Sequence, residues 1–205
     1  MRRALGEACV TLPVRGMAHD GGGVKENPVL LFARALDFAA RKHAHQRRKG
    51  ELAEPYVNHL SDVARLLAEA TDGGDVALVL AGLLHDTIED TDTTFTELAK
   101  EFGPEVAELV NEVTDDKTLP RAERKRLQVE TAPHKSVRAR MIKLADKTSN
   151  LHSMIASPPR DWSLERRREY IDWAAKVAKG CEGVNPQLEE EFERARRRAK
   201  AAVTV

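Results

Sequence analysis

Between Val76 and Leu84 the chain reads Val-Ala-Leu-Val-Leu-Ala-Gly-Leu-Leu, with Asp75 in front of the run and His85-Asp86 behind it. A membrane span needs roughly 18 apolar residues, so this run is too short to be one. Asp75 can cap a helix from Val76 to about Glu89, and the apolar residues of that helix go nearly all the way round rather than along one stripe. Such a helix is stable only at the centre of a core, wrapped by other elements. The fold has to be built around it.

The wrapping elements can be read from helical spacing. Leu31, Ala35, Phe38 and Ala39 mark a first helix from Pro28, and Val63, Leu66 and Leu67 form the inner face of a second that begins near His59. Thr94 to Glu97 has the spacing of a capping box, and Pro104 suits the first turn of the helix after Gly103. A polar loop from Thr114 to Pro120 leads to a charged helix, Arg121 to Glu130. Val137, Met141, Ile142, Leu144, Ala145, Leu151, Met154 and Ile155 make a long helix that stops before Pro158-Pro159. Two more, Ser163 to Lys179 and Pro186 to about Ala201, close the chain. Strand signals are nearly absent, with at most one small hairpin near residues 50–57. The expected fold is all-α: a single bundle of roughly eight to ten helices over 27–202, preceded by a flexible leader, 1–26, whose glycines carry no periodic pattern.

Composition narrows the function. Thirty-three basic residues balance thirty-three acidic ones in 205, so no global field draws the chain to nucleic acid or a membrane surface, and any anion site must be local. Cys9 and Cys181 are the only cysteines and lie outside any CxxC spacing, which removes disulfide scaffolds and thiolate zinc sites. No signal-peptide pattern opens the chain. A cytoplasmic protein acting on a small molecule is the expectation, and a homo-oligomer remains compatible with it.

The chemistry concentrates where the apolar run ends, in Leu83-Leu84-His85-Asp86-Thr87-Ile88-Glu89-Asp90. On a continuous helix, His85 with Glu89 and Asp86 with Asp90 are i,i+4 pairs, and all four fall within about 140° of arc. Burying that much negative charge beside leucines is costly unless a cation compensates it. The alternative, a solvated helix end, sets acids against the helix dipole. Two further segments favour a metal: Tyr56-Val-Asn-His59 brings a second histidine, and Lys143-Leu-Ala-Asp146 with Asn150 brings an aspartate on an otherwise apolar helix.

In this order, H…HD…D, and through HDTIEDTDTT, VTDDKTLP and ERKRLQVE, the chain resembles the HD-domain hydrolases of the RelA/SpoT homologue group. It is most similar to the stand-alone small alarmone hydrolases related to metazoan SpoT homologues. The resemblance runs from about Leu31 to Leu188. It implies that His59, His85, Asp86 and Asp146 ligate one divalent metal, usually Mn2+ in the family. Two imidazoles and two carboxylates independently suit Mn, Fe or Zn. It further implies that Glu89 and Asp90 are the catalytic acidic pair, and that Arg48, Lys49, Asn150 and Ser153 contact the nucleotide. The basic cluster from Arg41 to Lys49, with Lys143 and Lys147, is the local source of positive charge for a polyphosphate. Four further histidines, His43, His45, His134 and His152, are expected at the surface or behind the ligands.

The activity implied is hydrolysis of guanosine 3′,5′-bis(diphosphate) and its pentaphosphate, (p)ppGpp, to GDP or GTP and pyrophosphate, ending stringent-response signalling. Departures from the family pattern touch the nucleotide's surroundings: Leu60 follows His59 where proline is usual, Thr148-Ser149 replaces a bulky residue and an aromatic, and His152 replaces arginine. Two alternatives share the metal ligands: removal of the 2′-phosphate of NADPH, and a module that binds an alarmone without turnover.

Overall fold

The structure, a computed structural model, describes residues 27–204. The expected leader, 1–26, lies outside the described residues. Those described form α1 (Pro28–Lys42), α2 (Val57–Ala70), α3 (Val76–Leu84), α4 (Thr87–Asp90), α5 (Phe95–Phe102), α6 (Pro104–Val113), α7 (Arg121–Thr131), a 3-10 turn (Ala132–His134), α8 (Val137–Ala156), α9 (Leu164–Lys179) and α10 (Pro186–Ala202). The fold is all-α, as expected. No helix among the described residues is long and apolar enough to cross a membrane.

α3 is the buried axis. Every residue from Leu78 to Leu84 is buried, with Leu78, Leu83 and Leu84 at 0% exposure. Each such leucine contributes about 1.5–3 kcal/mol relative to an exposed one. α1, α2 and α6 pack around α3, and α2 also packs on α8, which α10 and α9 cover from outside. The α2–α3 crossing is close because residue 82 is glycine: a Cβ there would overlap Leu67 Cδ1. The caps read from sequence are present. Asp75 accepts from Leu78 N, and Thr94 accepts from Glu97 N.

Two expectations need correction. The central helix does not run unbroken to Glu89; it stops at Leu84, turns through His85-Asp86, and restarts as α4. The reason is local competition for carbonyls. His85 Nδ1 bonds Gly82 O at 2.8 Å and Thr87 Oγ1 bonds Leu84 O at 2.6 Å, so side chains take acceptors that the backbone ladder would use. The hairpin near 50–57 also shrinks, to a single isolated bridge between Arg47 and Pro55. A second bridge, Gly50 to Pro159, ties this loop to the segment after α8.

Candidate active site

The His-Asp turn is what brings the chemistry together. α2 delivers His59 from its first turn, the α3–α4 turn delivers His85 and Asp86, and α8 delivers Asp146 from its middle. His59, His85 and Asp146 each bring a donor atom within 4.8 Å of the others. His59 Nε2 lies 3.3 Å from Asp146 Oδ1, and His85 Nε2 lies 3.9 Å from it. Asp86 Oδ2 flanks the same pair, 3.1 Å from His85 Nε2 and 3.7 Å from His59 Nε2.

Each of these side chains is held from behind. A carbonyl can only accept, so the Gly82 contact fixes the proton of His85 on Nδ1 and turns Nε2 toward the cluster. Tyr56 donates its hydroxyl to Asp86 Oδ2 at 2.6 Å. Burial first and the Asp86 charge second hold the Tyr56 phenol well above its usual range, so it remains a donor. Asp146 receives Asn150 Nδ2 at 2.6 Å and Lys147 Nζ at 2.7 Å. His59 Nδ1 meets Ser149 Oγ at 2.9 Å.

The electrostatics fit a divalent cation. Two half-buried carboxylates face two buried imidazoles, and His85 Nε2 is buried without a hydrogen-bond partner although Asp86 Oδ2 lies 3.1 Å away. Burial pushes His85 down, but the charges of Asp86 and Asp146 outweigh it and hold its pKa up at about 9. Burial pushes His59 down and keeps it neutral. For Asp86 the upward push of burial is overcome by His85, and for Asp146 by Lys147 and His59, so both stay well below the usual carboxylate range. An N2O2 donor set of this kind suits a borderline-to-hard ion.

Glu89 and Asp90 stand one turn beyond. Glu89 Oε2 accepts from Asp115 N at 3.0 Å, and Arg124 lies 3.5 Å from its other oxygen. Burial, ahead of the neighbouring acids, raises the Glu89 pKa. Asp90 is bonded by Gln46 Nε2 at 3.0 Å and pairs with Lys117. Both carboxylates line an inner cavity of about 160 Å³ together with His85, Asp86 and Asp146. Tyr56, Asp90 and Asn150 also line an outer cleft of about 420 Å³, so the two spaces share a wall.

The outer cleft carries Arg48, Lys49 and Ser153, with Arg47, Lys117 and Arg121 beside them. Arg48 is pinned by Asn150 Oδ1 at 2.8 Å and lies over the Tyr56 ring, 5.6 Å from its centroid. Lys143 borders the inner cavity, but its ammonium is already engaged by Val113 O at 2.6 Å and by Asp115 at 3.4 Å. Lys147 likewise serves Asp146. Neither is the free counter-charge the sequence suggested. Sequence reasoning missed Tyr56, Lys117 and Arg124. Tyr56 was signalled by its place one turn before His59, whereas nothing in the loop's periodicity marked Lys117. Among the other histidines, His43 is buried and stacked on Tyr56, and His152 bridges Asp62 and Glu191.

Residues 35–174 match the HD domain family. The chain is 55% identical over 156 residues to the guanosine-3′,5′-bis(diphosphate) 3′-pyrophosphohydrolase MESH1 of Homo sapiens, covering 76% of this chain and 87% of that one. It is 47% identical over 162 residues to the protein of the same name from Drosophila melanogaster, covering 79% and 90%. A solved structure described as a metazoan ortholog of SpoT that hydrolyzes ppGpp superposes with a TM-score of 0.78 at 46% identity, over 82% of this chain and 94% of that one. A profile match that spans the His-Asp turn and both flanking helices, with near-complete coverage of these relatives, leaves one conclusion: the chain belongs to the HD-domain family.

Proposed function

We propose that the chain hydrolyses (p)ppGpp at its 3′-diphosphate, taking up one water and releasing pyrophosphate with GDP or GTP. The observation that carries this reading is the acid-lined inner cavity set against a cationic cleft, with three lining residues in common, in a chain 55% identical to a protein named for that reaction. His59, His85, Asp86 and Asp146 would hold one divalent ion, Mn2+ by the family's habit. When bound, it would supply charge neutralisation for the phosphate and a lowered pKa for the attacking water.

The remaining chemistry belongs to the chain. Glu89 and Asp90 orient and deprotonate the water, and protonate the ribose 3′-oxygen as its bond to phosphorus breaks. The upward push of burial on the Glu89 pKa suits a group that takes up and gives back a proton. Arg48, stacked on Tyr56 and pinned by Asn150, presents a flat guanidinium to the base, while Lys49 and Ser153 flank the nucleotide. Lys117, between Asp90 and the cleft, neutralises phosphate oxygens. The protein would act in the cytoplasm, alongside its nucleotide substrate.

The test is anion-exchange chromatography of ppGpp, pppGpp and NADPH after incubation with purified protein, with Mn2+ or with EDTA. Pyrophosphate and GDP or GTP appearing only with Mn2+ is the expected result. Phosphate release from NADPH with ppGpp untouched would overturn the substrate, and tight ppGpp binding without turnover would overturn the enzyme.

A further inference from the structure

Behind His59 the structure shows an arrangement unlike the supports of the other donor residues. His85 is backed by a carbonyl, Asp86 by a phenol and Asp146 by an amide and an ammonium, each with one possible direction for its hydrogen bond. His59 is backed by the hydroxyl of Ser149, 1% exposed, and a hydroxyl can either donate or accept. The direction matters. If Ser149 donated to Nδ1, the proton of neutral His59 would sit on Nε2, the atom that faces Asp146 and His85.

A carboxylate removes the ambiguity. Asp62, one turn beyond His59 on the same helix, is held against burial below the usual carboxylate range, in part by the Ser149 hydroxyl turned toward it; a hydroxyl so turned commits its proton to the aspartate and leaves Oγ only its lone pairs for His59. Nδ1 then carries the proton and Nε2 is free. Asp62 is itself fixed by Arg65 at 2.7 Å and by His152 Nδ1 at 3.3 Å, whose other nitrogen reaches Glu191 on α10 at 3.2 Å. Helical spacing sets this up: Asp62 lies one turn beyond His59 on α2, and Ser149 and His152 lie one and two turns beyond Asp146 on α8. The two helices that each supply a donor to the cluster also supply its support.

We propose that Ser149, backed by Asp62, is a positioning residue that fixes His59 in the tautomer whose Nε2 can bind a divalent cation. The relay begins at a buried imidazole and ends in a partly exposed cluster that also spans α10. It rests on the reading of His59 as a metal ligand, and its effect on the reaction runs wholly through that ligand.

The experiment titrates EDTA-stripped protein with Mn2+, following free Mn2+ by electron paramagnetic resonance, and reads the tautomer of His59 by long-range 1H–15N correlation. Ser149→Ala is expected to weaken Mn2+ binding about 10–100-fold, the range for lost support behind a ligand. It should also shift the His59 proton toward Nε2. Ser149→Thr, which keeps the hydroxyl, should bind within about threefold of wild type, and Asp62→Asn should fall between the two. Unchanged affinity and tautomer in Ser149→Ala, with only a lower melting temperature, would mean packing alone and overturns the proposal. Should Ser149→Ala fail to fold, Asp62→Asn, at a partly exposed position, decides it: wild-type affinity and tautomer there overturn the proposal. His59→Gln separates the two levels. If it retains wild-type Mn2+ affinity, the metal reading itself falls and the relay with it; if it loses Mn2+ while Ser149→Ala does not, only the relay falls.

Discussion

The inner cavity and the outer cleft share Tyr56, Asp90 and Asn150, yet they are built differently. Inside, every candidate ligand is nearly buried and gripped by a named partner at 2.6–2.9 Å. Outside, Arg47 and Lys49 are exposed, and of the predicted nucleotide contacts Arg48 is held only through Asn150, which itself leans on Asp146 at the inner wall. The inner groups must be rigid because an ion tolerates little error in ligand geometry. The outer groups must attract a polyphosphate and let a product leave, for which long flexible cations in high dielectric are suited. Losses inside should therefore be all-or-none, and losses outside graded and salt-dependent.

The largest expected effect is at Asp146. Asp146→Ala should abolish both Mn2+ binding and hydrolysis, and should leave Lys147 as a buried cation without its partner at 2.7 Å. Metal content by inductively coupled plasma analysis, beside ppGpp turnover, checks this; equal metal stoichiometry in mutant and wild type would remove Asp146 from the ligand set.

Next comes the acid pair. Glu89→Gln with Asp90→Asn keeps the shape of the inner cavity but removes proton exchange, so turnover should fall by at least about 10²–10⁴-fold while Mn2+ stays bound. The metal content separates this from the Asp146 result. Hydrolysis at the wild-type rate would assign the proton transfers elsewhere.

The cleft should answer more gently. Arg48→Ala ought to raise KM for ppGpp about tenfold with a smaller change in kcat, since it removes a binding contact and not a proton-transfer group. The difference from wild type should shrink between about 50 and 500 mM salt, as the Debye length contracts. A kcat loss as large as that of the acid pair would instead place Arg48 among the inner groups and erase the distinction between the two regions.

Helix positions were legible because they depend on periodicity and caps that lie close together in sequence. Asp75, Thr94 and Pro104 mark starts that the structure reproduces. The break at His85-Asp86 was not legible, because it depends on side chains competing for Gly82 O and Leu84 O, which no spacing rule weighs. His59, His85, Asp86 and Asp146 stood out as polar residues in apolar surroundings, and the fold brings them together. Lys143 stood out for the same reason and proved to serve the loop after α6. Charge in the sequence identifies a cation, but only packing shows which acceptor it meets. Tyr56 and Lys117 depended on such packing.

The smallest effect lies at the outer end of the relay, where His152 couples α8 to α2 and α10. Its two nitrogens face Asp62 and Glu191, and the hydrogen bond to Asp62, acting against burial, raises its pKa above the ordinary value of 6.5. Arg65 on Asp62 and Arg194 on Glu191 are the cations facing this cluster, and both stay charged throughout. A histidine whose folded pKa is raised contributes stability that is complete below the unfolded value and disappears as pH rises through the folded one. His152→Gln should therefore cost about 1 kcal/mol in urea unfolding at pH 6 and close to nothing at pH 9, a range set by partly exposed ion pairs. Taking the difference from wild type at each pH cancels the titration of the inner cluster, which both proteins share. An equal cost at both values would show that His152 acts by packing alone, so that the relay's outer end is mechanical and only its inner end, at Ser149, is electrostatic.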